Sequence, residues 1–244
     1  MVQNRGGVLM KTKTKVSYVV LKYDDQTDGI YMNSSSKITP GFGLPEYEYH
    51  SPNDSLADIA DDLAQRLNFP YFKIEASHVF VPFLTVYNEN ETKIYHYVAV
   101  VFESMRDEFS SRRDESWHRV KLDQKTQKWS LPFGNGLIDS NDYHFKNYAK
   151  TDYAANPELN PEITFSNVMR YVEQETLDFP ILGLLSGDKF TMRQVLHYQD
   201  LLGIETLKAG NNMTFEHQYS QSIQTIKDDR MTTSYRIKKE YLQK

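Results

Sequence analysis

One amphipathic helical pattern, set between runs of strand-forming residues, does most to restrict what this chain can fold into. Over residues 55–68, Leu56, Ile59, Ala60, Leu63 and Leu67 recur at helical spacing with polar residues between them. A single apolar stripe of that kind must bury itself against one neighbouring surface. Asp54 or Ser55 is placed to cap the helix, and Asn68 before Pro70 ends it. Upstream, residues 16–23 are rich in β-branched and aromatic side chains, and the turn at 24–29 leads into a short partner strand at 30–32. Downstream, residues 78–87 and 94–102 read as two long strands joined by the polar loop 88–92. A strand is also expected at 117–122, and residues 123–160 read as irregular surface and linker.

The character of the chain changes after residue 160. Phe165, Val168, Met169, Val172 and Thr176 restore helical periodicity. A short apolar helix is expected at 181–185 and a second from Phe190, with Val195, Leu196 and Leu202 inward and Gly203 beyond its end. A third is expected at 213–226, on the stripe Phe215, Tyr219, Ile223 and Ile226. Residues 227–239 then read as a turn bracketed by short strands. Three helices and a β-wing within about sixty residues make a winged-helix layout. The expected fold class is α+β, divided into residues 1–160 and 161–244.

With 28 Lys and Arg against 33 Asp and Glu, the formal net charge is −5, which argues against constitutive, non-specific nucleic-acid binding. The acidity lies in residues 1–177, while 227–244 holds six basic residues against three acidic. There is no cysteine, so disulfide frameworks and thiolate metal sites are excluded; a reducing cytoplasm is compatible with that. No apolar run reaches membrane-spanning length. Lys11, Lys13 and Lys15 ahead of residues 16–21 imitate a signal peptide, but the apolar stretch is short and Lys22 interrupts it. The seven histidines show no metal-binding spacing, and neither a P-loop nor a Gly-x-Ser-x-Gly elbow occurs, so no cofactor is implied.

The strand–loop–helix–strand order resembles a Nudix domain. That family carries G-x5-E-x7-R-E-U-x-E-E-x-G-U, where U is bulky and apolar and the helical glutamates ligate Mg²⁺. Leu44-Pro45 matches the family's Leu-Pro-Gly-Gly turn, and residues 55–69 overlay the box helix without gaps when Leu63 and Phe69 take the apolar positions. Asp61 then stands at the Arg of the motif and Asp62 at the adjoining Glu. Gln65 and Arg66 replace the two later glutamates, Asn68 the Gly and Asn53 the upstream Glu. On this register no catalytic residue is left, and a single short carboxylate beside an Arg makes a poor Mg²⁺ site.

The second half is similar to Nudix-related transcriptional regulators. The likeness rests on residues 165–171, Phe179-Pro-Ile-Leu-Gly-Leu-Leu185, Lys189-Phe-Thr-Met-Arg-Gln-Val195, Leu201-Leu-Gly203 and the terminal Ser234-Tyr-Arg-Ile237. The resemblance implies a Nudix-like mixed-sheet α/β/α domain followed by a winged helix-turn-helix domain. It also implies a homodimer that binds operator DNA, and a nucleotide or sugar-phosphate effector such as ADP-ribose. The expected DNA-contacting residues are Arg193, Gln218, Gln221, Gln224, Lys227, Arg230, Arg236 and Lys238, with Gln suited to adenine edges. The third helix departs from the family in holding Glu216 as its only full charge, although phosphate contacts need cations. Gly41 and Gly43 read equally as a ligand-phosphate approach and as a tight turn. Trp117 reads as an adenine platform or a core side chain, and the basic wing as a phosphate contact or a solvated hairpin. The alternatives are an Mg-dependent Nudix hydrolase of nucleoside diphosphate derivatives, using Asp58, Asp61 and Asp62, and a protein-binding winged helix.

Overall fold

The computed structural model describes residues 11–33, 45–49, 55–68, 75–89, 91–103, 117–123, 125–126, 128–133, 136–139, 161–204, 211–227 and 232–242. Its centre is strand β1 (Lys11–Asp24). Along one edge β1 runs parallel to β5 (Thr92–Glu103), in register from Lys11↔Thr92 to Lys22↔Glu103. Along its other edge it pairs antiparallel with two strands in turn. These are β2 (Gly29–Asn33) at its C-terminal end and β3 (Glu46–Tyr49) opposite Thr14–Ser17. Strand β4 (Val79–Glu89) adds antiparallel to β5, and β6 (Trp117–Arg119) to β2, giving the order β4-β5-β1-β2-β6. The β4–β5 register slips between Phe80 and Phe83. Pro82, which has no N–H to give a ladder, sits in that bulge.

Both faces of this mixed sheet are covered, which is why β1 carries the buried run Val19-Val20-Leu21 rather than strict alternation. Helix α1 (Leu56–Asn68) lies on one face, with Ala60, Leu63, Ala64 and Leu67 against Val20, Val79, Ala99 and Val101. Ser55 caps it: the Ser55 backbone N–H donates to Asp58 at 2.7 Å, and the Asp58 backbone N–H donates back to Ser55 Oγ at 3.3 Å.

The opposite face holds the C-terminal part. Helix α2 (Pro161–Asp178) is followed by a 3-10 helix at Ile181–Ser186, α3 (Met192–Leu202) and α4 (Asn212–Gln218). A hairpin of β10 (Ile223–Lys227) and β11 (Thr233–Ile237) ends the series. Between the two parts, β7 (Lys121–Asp123), β8 (Lys128–Phe133) and β9 (Gly136–Asp139) form a small antiparallel sheet. One continuous core joins Val19, Leu21, Val98 and Phe102 of the large sheet to Phe165, Met169, Leu182, Leu185, Phe190 and Tyr235. Fully burying each such side chain stabilises the fold by about 1.5–3 kcal/mol. The core therefore crosses the 160/161 boundary without a break. Trp129 Nε1 fastens β8 to α3 by donating to Leu202 O at 2.7 Å. Gly203 closes α3 in the left-handed conformation, at φ 65°, with Leu122 packed where a Cβ would lie.

Three expectations need correction. Residues 128–133 and 136–139 are strands rather than irregular surface. Trp129 and Leu131 alternate inward there, but Pro132 and the Gly134-Asn135-Gly136 run mask the period. The strand expected at 117–122 is divided at Val120, whose N–H donates to Ile30 O at 2.8 Å, so that β6 and β7 belong to different sheets. The third helix does not run to residue 226. It stops at Gln218, turns through 219–222 and leaves as β10. The turn is held because Lys238 Nζ donates to Ser220 O at 3.1 Å and to Gln221 O at 2.7 Å. Tyr219 Oη is anchored to Thr176 O at 2.7 Å.

Candidate functional site

Helix α1 and strand β3 frame an open cleft of about 400 Å³ lined by Tyr18, Glu46, Tyr47, Leu63, Arg66 and Leu67. The capped, amphipathic helix sets Leu63 and Leu67 inward and brings Asp62 and Arg66, one turn apart, to the rim beside β3. Arg66 Nε donates to Asp62 Oδ2 at 2.6 Å, and the guanidinium lies 4.4 Å from the centroid of the Tyr47 ring. The Tyr47 hydroxyl oxygen is buried beside the Asp62 carboxylate without reaching hydrogen-bond geometry. Burial first, and that carboxylate second, push its pKa up. Glu46 lies 3.9 Å from Lys15 Nζ. Glu46 and Tyr47 directly follow Leu44-Pro45, so side chains stand where the resembled turn has two glycines.

This arrangement does not fit a divalent metal. Asp62 is engaged by a cation from its own helix, Asp61 and Gln65 point to solvent, and Asp58 is bound into the helix cap. Among the described residues no group of three or more His, Asp or Glu is placed to hold an ion. A guanidinium therefore supplies the positive charge next to Asp62 that an ion would otherwise bring. Gly41, Gly43 and Asn53 lie outside the described residues.

The residues expected to contact DNA are only partly brought together. Arg193 is exposed in the first turn of α3, behind a capping box of Thr191 and Gln194. Gln218, Gln221 and Gln224 share no helix face, because Gln218 ends α4, Gln221 lies in the turn and Gln224 is in β10. Gln218 Nε2 donates to Leu177 O at 3.3 Å, and Lys238 is engaged by the 219–222 turn. Gln224 and Arg236 are cross-strand partners, both exposed, and form one polar pair on the hairpin. Lys227 ends β10; its side chain, and all of Arg230, lie outside the described residues. Glu216, the one charge on α4, accepts from Tyr235 Oη at 3.0 Å.

Several groups escaped the sequence reading. Glu103 ends β5 in register with Lys22, one residue beyond the strand expected at 94–102. Burial pushes its carboxyl up to about 7, with Lys22 opposing. The signal was its place directly after the Val98–Phe102 run. Trp117 is half-buried with the Lys22 ammonium 3.8 Å over its ring, so that position on the ring is taken by the chain itself. His96 is buried, with Nε2 2.8 Å from Ser17 Oγ. Burial first and Lys15 second push its imidazole down to about 4. Asp28, in the β1–β2 turn, lies 2.6 Å from His197 Nε2 on α3 and accepts from Tyr23 Oη at 2.9 Å. Those two bonds hold its pKa below the usual carboxylate value.

No protein-family model matches the chain, and no curated protein does. Solved structures do. A MutT/Nudix family protein from Enterococcus faecalis superposes with a TM-score of 0.66 at 13% identity, covering 94% of this chain and 89% of that one. NrtR from Shewanella oneidensis gives 0.52 at 12% identity, over 93% and 95%. The same protein complexed with a 27-mer DNA gives 0.52 at 13%, over 94% and 95%. Each likeness spans nearly both chains, so it takes in the C-terminal helices and hairpin along with the sheet. The chain has the fold that these solved structures share.

Proposed function

We propose that this protein is a ligand-responsive transcription regulator. Its Nudix-type layer, residues 1–160, holds a nucleotide or sugar-phosphate effector without cleaving it, and its C-terminal part, 161–244, binds operator DNA as a winged helix in a homodimer. The observation that carries this reading is the Arg66–Asp62 pair stacked on Tyr47, a fixed internal cation in place of a metal cradle. The likeness to NrtR, which has been crystallised on DNA, supports the second half. Effector binding reaches the DNA-binding part through shared packing: the common core, the Trp129–Leu202 bond and the Asp28–His197 contact all join the sheet to the C-terminal helices. Gel shifts with promoter DNA from the protein's own organism, over a series of salt concentrations, test it. A retarded band that weakens with salt and responds to effector is expected; no band even at low salt refutes it.

A second reading is favoured by the exposed face of α4. Its charge is confined to Glu216, and Met213 is 75% exposed. Such a surface suits a protein partner better than a phosphate backbone. A pull-down partner lost on Met213→Lys, together with failed DNA binding, selects it. The hydrolase alternative would need Asp58, which the Ser55 cap engages. Mg²⁺-dependent turnover of nucleoside diphosphate compounds would reinstate it.

A further inference from the structure

Strand β4 ends the large sheet, and among the described residues no strand pairs with its outer edge. A sheet edge presents a row of backbone donors and acceptors ready to pair with another strand, and proteins that stay monomeric blunt it with charge, a bulge or a cover. Here the first half of the strand is blunted and the second is not. The bulge between Phe80 and Phe83 holds Pro82, which has no N–H to offer. Residues 83–88, Phe-Leu-Thr-Val-Tyr-Asn, run on in regular register with β5 and carry no charge.

The side chains of this stretch are apolar and open to solvent on one face. Leu84 is 51% and Val86 45% exposed. The register sets them opposite Tyr97 and Tyr95 of β5, both half-buried, so the four form one shelf. Tyr97 also pairs with Val16 of β1, which packs against Ile59, so the shelf lies on the face that carries α1. One turn before Ile59, Leu56 belongs to the inward stripe of the helix yet is 45% exposed, so the helix leaves that end of the face uncovered. Lys93 is turned onto the Tyr95 ring, 4.9 Å from its centroid. Large apolar side chains gathered in this way mark an interaction surface.

The occupant that this edge fits is a second copy of the chain, because the strand is complementary to itself. With a two-fold axis at Thr85, antiparallel pairing sets Leu84 of one copy opposite Val86 of the other, twice, and Thr85 opposite Thr85. Pro82 falls opposite Asn88, so the bulge marks the end of the paired stretch in both copies. An uncharged strand meets an uncharged strand, and no carboxylate or ammonium on 83–88 is left to be matched. The contact closes on itself, as a two-fold homodimer contact must. We propose that β4 joins two copies edge to edge through residues 83–87, making one continuous sheet across two protomers. The inference rests on the homodimer of the reading above and says where the copies meet.

The lack of cysteine in the chain gives a direct test. Opposed residues of an antiparallel pair lie about 4.5–5.5 Å apart at Cα, within reach of a disulfide. Oxidised Thr85→Cys should run as a covalent dimer, and Thr126→Cys, exposed in the β7–β8 turn, should not. Light scattering and sedimentation of the full chain at micromolar concentration should give twice the 28.5 kDa of one chain. Leu84→Lys combined with Val86→Lys sets ammonium groups opposite each other across the axis, and should weaken the dimer about a hundredfold or more, to a single-chain mass. Thermal melts verify folding, and the Thr85→Cys crosslink decides if the double variant does not fold. A dimer indifferent to the double variant overturns the β4 contact and leaves the homodimer reading standing, as does Thr85→Cys crosslinking no better than Thr126→Cys. A wild type that is monomeric at every concentration removes the contact and the homodimer together, while gel shifts read operator binding separately.

Discussion

Arg66 is the residue on which the chemistry of the cleft turns. As a cation it neutralises Asp62 from one turn away, and such exposed pairs add little stability by themselves. Its consequence is electrostatic. Arg66→Glu would set two carboxylates, at 62 and 66, one turn apart on the rim of the cleft. Melting with and without Mn²⁺ should show a metal-dependent rise in Tm for that variant and none for the wild type; equal responses would count against the assignment. Two buried groups act on the pH dependence of stability with opposite sign. His96 falls from its ordinary 6.5 to about 4, so the folded chain binds fewer protons there than the unfolded chain. Stability is lost as pH falls between those values. Glu103 rises from 4.5 to about 7, so its contribution is present at low pH and is lost as pH rises through that window. The two slopes offset each other between about 4.5 and 6.5. Glu103→Gln should therefore expose a rise in urea midpoint from pH 4 to 6.5 that the wild type largely hides; an unchanged profile would contradict this. Neither group could be identified from sequence as titrating abnormally, because burial depends on which strands flank it.

Elements whose apolar period matched their environment were legible. The α1 stripe, the β4 and β5 runs and the buried run of β1 all have one environment along their length, and their patterns say so. The third C-terminal helix was misread because Phe215, Tyr219 and Ile223 are all buried at helical spacing, although only the first lies within the helix. Ile223 reaches the same core from a strand, and the hydrogen bonds that end the helix come from Lys238, fifteen or more residues on. That is a tertiary contact and leaves no local mark. The end of α3, by contrast, was plain from Gly203. Gly203→Ala would force a Cβ into the left-handed region and against Leu122, costing at least about 1–3 kcal/mol. Denaturant unfolding should register the loss; a near-neutral effect would mean that the junction between α3 and the small sheet yields easily. The candidate site was half legible for a related reason. The box helix named Asp62 and Arg66, but Glu46 and Tyr47 enter the cleft from a strand whose placement only the β1–β3 pairing fixes.

At the level of the whole molecule, a division of labour at residue 160 does not imply a division of the core. Val19, Leu21 and Phe102 are buried by Phe165, Met169, Leu182 and Leu185, which lie beyond that boundary. A fragment ending at 160 would expose this face of the sheet. Expressed alone, it should bind hydrophobic dye and unfold without a sharp transition, whereas the full chain should melt in one cooperative step. A fragment with its own sharp transition would show that the two parts are separable after all. No helix among the described residues is long and apolar enough to cross a membrane.

The parallel pairing of β1 with β5 also bears on how the chain is made. Lys11 meets Thr92 and Lys22 meets Glu103, so β1 must wait some eighty residues for its principal neighbour. During that interval the run Val16–Leu21 can be sheltered among the described elements only by those made before β5, namely β2, β3, α1 and β4. Long-range pairing of this kind slows folding and prolongs exposure to aggregation. Pausing of translation before β5, or loss of a chaperone that covers nascent chains, should lower the yield of this protein more than that of a helical protein of equal length.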